Sequence, residues 1–91
     1  MPASMVTDAY RVLVQCLVDA RRIAGLSQTE LGRRMGKGQK FVSVVETGVR
    51  RIDLVEFVEW SNSLGRDPIE LFSAIVSKAF VVEVREGPDS P

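Results

Sequence analysis

Ninety-one residues, 45% of them apolar and 26% charged, are enough for one small domain around a single core and too few for two. That balance excludes a disordered polyelectrolyte, and a single cysteine without any histidine excludes an internal disulfide, a Cys/His metal site and histidine-based catalysis, so no cofactor is expected. Net charge is zero, but residues 21–51 hold eight basic side chains against two acidic ones, a net +6 that leaves −6 for the rest, a distribution suited to meeting a polyanion on one side.

Residues 1–6 contain Pro2 and small side chains and read as a frayed end, with Ser4 or Thr7 as the first helix cap. From there Tyr10, Leu13, Val14, Leu17, Ala20 and Ala24 recur at three- and four-residue steps and predict a helix to about Ala24, closed by Gly25 and Leu26. Cys16 is a small apolar residue on or beside that stripe. Gln15 and Asp19 interrupt the longest apolar run, and no basic leader precedes it, so neither a membrane span nor an export signal is expected and the protein should be cytoplasmic.

Ser27 then stands three residues before Glu30, the spacing of a capping box, and Leu31 and Met35 mark one side of a short second helix that Gly36 ends. A third helix restarts within about two residues, with Val42 and Val45 as its buried pair. This leaves Gln39, Lys40, Ser43 and Val44 pointing outward, and Thr47-Gly48 closes the segment. Two short helices joined by a tight glycine turn read as a helix-turn-helix, with that outward face as a candidate for reading bases. Phe41, next to the buried Val42, either packs partly against helix 1 or presents an apolar contact.

Asp53 caps a fourth helix whose inner face is expected to be Leu54, Phe57, Trp60 or Ser61, and Leu64, with Glu56 and Glu59 outside and Gly65 as terminator. Asp67-Pro68 begins a fifth in the order cap then proline, with Ile69, Phe72, Ile75 and Val76 as an apolar stripe to about Lys78. Over 79–86 the period shortens: Phe80, Val82 and Val84 alternate with Val81, Glu83 and Arg85. That pattern predicts a strand pairing with its copy in a second subunit, the other reading being a continuation of helix 5. Residues 87–91 form a tail.

The run from Arg21 to Phe72 resembles the Cro and phage-repressor type of helix-turn-helix, the XRE family. The matching residues are Arg21, Gly25-Leu26-Ser27-Gln28, Leu31 and Glu46-Thr47-Gly48, followed by Leu54, Phe57, Leu64-Gly65 and Ile69 to Phe72. Departures are Gly32 where alanine is usual, Gly38 where a serine or threonine would cap helix 3, and Val44 at an often polar position. The resemblance implies an all-α, five-helix domain over 7–78. It implies an ion pair between Arg21 and Glu46, although Arg21 also reads as one more phosphate-facing charge. It places Gln28 on the DNA backbone, together with Lys37, Arg50 and Arg51, and gives base reading to Gln39, Lys40, Ser43 and Val44. The expected function is a transcriptional repressor binding a palindromic site on double-stranded DNA as a homodimer, with no small-molecule ligand. The alternative is an antitoxin-like or anti-repressor-like protein-interaction module that turns Phe41 and Val44 to a protein partner.

Overall fold

The structure, a computed structural model, describes residues 2–80. Five helices occupy them: α1 (Pro2–Ile23), α2 (Gln28–Met35), α3 (Gln39–Glu46), α4 (Leu54–Ser63) and α5 (Pro68–Ala79). The described residues are all-α. α2 packs on α3 and α4, while α1 lies across α3 and α5, and α4 closes against α5. The core runs through every helix: Leu17 and Ala20 of α1, Leu31 of α2, Val42 and Val45 of α3, Phe57 and Trp60 of α4, Leu71 and Ile75 of α5. Burying side chains of this size is worth about 1.5–3 kcal/mol each relative to exposure, so the packed centre rather than helix propensity holds helices as short as α2 and α3.

The helix ends follow local chemistry. Ser27 accepts the Glu30 N–H and Asp53 accepts the Glu56 N–H. Asp67 accepts the Ile69 N–H ahead of Pro68, and Gly36 closes α2 at φ 71°. The box at Ser27 is only half formed, because the Glu30 carboxylate turns to Arg33. At Asp53 both halves are present.

Several expectations are corrected. Helix 1 starts at Pro2, ahead of either expected cap, Ser4 or Thr7. Ala24 is exposed and Val18 takes a core place. Leu54 is 76% exposed instead of facing inward, whereas Glu56, expected outside, is buried. Trp60 and Ser61 are both fully buried, the Ser61 hydroxyl donating to the Phe57 carbonyl at 2.8 Å. On α5 the inner stripe is Leu71 and Ile75, and Ile69 and Phe72 lie on the other side. The reason is geometric: α4 packs on both α2 and α5, and α5 on both α1 and α4, so the buried stripe of each departs from the apolar run that periodicity picks out. Cys16 is half-buried and burial pushes its thiol up, consistent with packing. Phe80 caps α5 with extended backbone; Val82, Val84 and the rest of the expected strand and tail lie outside the described residues.

Candidate nucleic-acid interface

The face formed by the first turn of α2, the α2–α3 turn, α3 and the loop after it carries the predicted site residues. Its foundation is an ion pair. Arg21, 8% exposed, donates from Nε to Glu46 Oε2 at 2.7 Å and from Nη2 to Oε1 at 3.0 Å, and its Nη1 reaches the Leu26 carbonyl at 2.7 Å. Both side chains are almost wholly shielded from water. The arginine therefore ties the end of α1 to the end of α3 and to the turn before α2, and does not stand toward solvent as a phosphate contact. Removing one partner of such a pair strands a buried charge, which costs about 3–5 kcal/mol.

Two glutamines extend this pair to the surface. Gln28 Nε2 donates to Glu46 Oε1 at 2.9 Å, and Gln39 Nε2 donates to Gln28 Oε1 at 2.8 Å. The chain Arg21, Glu46, Gln28, Gln39 thus runs from a buried charge to an exposed amide at the first position of α3. By sequence Gln28 and Gln39 have separate expected roles, one on the DNA backbone and one on bases. The structure joins them across the turn, a contact between residues 11 apart that no helical periodicity signals. Using one N–H of Gln39 leaves its Oε1 and its second N–H unengaged, an acceptor beside a donor.

Around this line Lys40 is exposed, while Ser43 and Val44 are half-buried. Lys37 Nζ lies 3.7 Å from Glu59 and 5.5 Å from the centre of the Phe41 ring. The Arg50 guanidinium sits 5.0 Å from the same ring on its way to Glu56, which it grips with Nη1 at 2.7 Å and Nη2 at 2.8 Å. Phe41 is half-buried and floors both cations. Arg50, expected among the phosphate contacts, is committed to the start of α4; the carboxylate raises its pKa and the guanidinium holds the Glu56 carboxyl below its usual range.

Arg51 is exposed and lies over the Tyr10 ring at 4.3 Å. The Tyr10 hydroxyl accepts the Ile52 N–H at 3.0 Å, so α1 fixes the loop that carries Arg51. In the sequence Tyr10 reads only as part of an apolar stripe. A tyrosine on a core stripe, with a polar tip needing a partner, was the one available signal. No helix of the described residues is long and apolar enough to cross a membrane.

A helix-turn-helix family model matches residues 17–71. Among solved structures, an XRE-family like protein from Pseudomonas syringae pv. tomato str. DC3000 is 36% identical, with a TM-score of 0.77 over 84% of this chain and 93% of that one. No curated protein sequence matches significantly.

Proposed function

Because the chain belongs to the XRE family of helix-turn-helix DNA-binding regulators, we propose that it is a repressor that binds a palindromic operator as a homodimer. The observation that carries the reading is the Gln28–Gln39 bond rooted in the buried Arg21–Glu46 pair. A side chain that must recognise a base edge gains from being held still before binding. Gln39 is held by one N–H, and the acceptor and donor it keeps match the N6 donor and N7 acceptor of adenine in the major groove. Lys40 adds a donor for guanine, Ser43 a hydroxyl and Val44 a methyl contact for thymine. Gln28, Lys37 and Arg51 address phosphates, where they supply affinity and register rather than sequence. Arg50 acts through the loop it positions. Repression follows from occupancy of the site, and Phe80, Val82 and Val84 pair with their copies to link two heads about one helical turn, roughly 34 Å, apart.

What disfavours the protein-module reading is that Lys37 and Arg50 lie over the Phe41 ring, which leaves less apolar surface on this face for a protein partner. The test is selection of bound duplexes from a random pool by the parent and by Gln39→Ala. Preference should relax at one symmetric pair of positions, by about 1–3 kcal/mol per half-site, with the rest of the motif kept. An unchanged motif would show that Gln39 does not read bases.

A further inference from the structure

We propose that Glu59 of α4 holds down the affinity of this face for DNA by competing with phosphate for the Lys37 ammonium. The starting observation is an unfinished ion pair. Lys37 Nζ stands 3.7 Å from Glu59 Oε1, within Coulombic reach but beyond the about 2.7–3.2 Å of a hydrogen bond. That same oxygen is closed off from water and has no hydrogen-bond partner among the described residues. A shielded carboxylate oxygen without a donor is costly, so Glu59 leans on Lys37 while giving it no hydrogen bond in return.

The contrast with Arg50 shows that this looseness is not general. The Phe41 ring carries both cations, with Lys37 Nζ 5.5 Å and the Arg50 guanidinium 5.0 Å from its centre. Arg50 is locked: Nη1 and Nη2 go to Glu56 at 2.7 and 2.8 Å, and Nη1 also reaches the Arg51 carbonyl at 2.9 Å. A lysine is a compact charge on a flexible four-carbon stem with rotatable donors, and among the described residues Lys37 has only the ring face and the distant Glu59. Its backbone, by contrast, is fixed, the Lys37 N–H donating to the Gly32 carbonyl at 3.0 Å. The side chain can therefore change partner while the turn stays in place. A pair whose purpose was to tie the turn to α4 would close to the distances of Arg50, and α2 already packs on α4 directly.

A DNA phosphate offers the ammonium the short charge-assisted hydrogen bonds that Glu59 does not. Moving Lys37 to phosphate forfeits the attraction of Glu59 and leaves that carboxylate without its cation, so the contact is discounted by what is given up. Because a backbone contact carries no sequence information, the discount applies equally to every duplex. The inference rests on the DNA reading above and adds to it a residue that opposes binding and acts only through Lys37.

The test is a cycle of the full chain on duplexes of random sequence at low salt: the parent, Glu59→Gln, Lys37→Gln and the double variant. The amide keeps the shape of the glutamate, and this side chain is 44% exposed, so circular dichroism and melting midpoints should match the parent. Glu59→Gln should bind about two- to fivefold more tightly per subunit, the weight of a weak ion pair. Glu59→Ala should show the same gain, so that the result does not hang on one variant. Lys37→Gln should bind less tightly, with a salt slope shallower by about 1 per subunit. Adding Glu59→Gln to Lys37→Gln should change nothing further. Glu59 variants that bind like the parent or more weakly overturn the proposal. So does an equal gain in both backgrounds, which would make Glu59 part of the general field rather than a competitor for Lys37. A parent that binds no duplex refutes the DNA reading and this inference with it, whereas a parent that binds DNA and a cycle without coupling refute this inference alone.

Discussion

A Cβ added at Gly32 would stand 2.3 Å from both the carbonyl carbon and the carbonyl oxygen of Gly38, and 2.7 Å from the Gln39 nitrogen. All three are backbone atoms and none can swing aside. The two glycine departures from the family pattern are therefore one feature. Gly38 at φ 89° carries the chain directly over Gly32, and the Lys37 and Gly38 N–H groups both donate to the Gly32 carbonyl at 3.0 Å. A serine at position 38 would be strained at that φ, which explains why α3 starts without a side-chain cap. Both glycines were visible in the sequence, but their coupling was not, because it depends on a close approach through space. Gly32→Ala should destabilise by about 1–3 kcal/mol, as overpacking does, and lower the urea midpoint. A midpoint equal to that of the parent would mean that the turn can open at little cost.

The start of α4 shows how an element can be read correctly at its cap and wrongly on its faces. Asp53 was legible because Asp, Asn and Ser cap helices for a local reason. Glu56 was not, because what allows its burial is Arg50, in the preceding loop and off any helical period. The carboxylate takes both Nη atoms of Arg50 and the Asp53 N–H at 3.1 Å, and Leu54 turns out to solvent instead. Hydrogen bonds from Arg50 are the main cause that holds the Glu56 carboxyl below its ordinary value, against the opposing effect of burial. Unfolded, the group titrates near about 4.3. Between the two values the unfolded chain takes up a proton that the folded one does not, so stability rises with pH there. The contribution is complete above the unfolded value and is lost as pH falls through the depressed folded one. Thermal midpoints followed from about pH 6 to about pH 3 should therefore fall less steeply for Glu56→Gln than for the parent, across the carboxylate range. Parallel curves would show that Glu56 contributes nothing to the acid limb.

At the scale of the molecule, the five helices and their order were legible because glycine and cap signals punctuate the chain and each helix carries core residues at helical spacing. The charge asymmetry was legible as a count but not as a field. Of the eight basic residues in 21–51, the structure pairs Arg21 with Glu46, Arg33 with Glu30 and Arg50 with Glu56, and brings Lys37 near Glu59. Glu46 and Glu30 are already counted in the net +6, but Glu56 and Glu59 lie outside the run, so that figure overstates by two charges what a duplex would meet. Lys37, Lys40 and Arg51 remain as the contacts best placed to displace counterions, the first shared with Glu59 and the last held over the Tyr10 ring. In the proposed dimer, six such contacts would make the logarithm of affinity fall with the logarithm of salt concentration with a slope of about −5. Arg51→Ala removes one contact per subunit. Titrations of a fixed operator between low and moderate salt should find its slope shallower by about 2, with affinity lost by similar factors on specific and random duplexes. A slope that does not change, or a loss confined to the operator, would place Arg51 among the base contacts or away from the duplex, and an affinity indifferent to salt would remove the phosphate-binding role of this face.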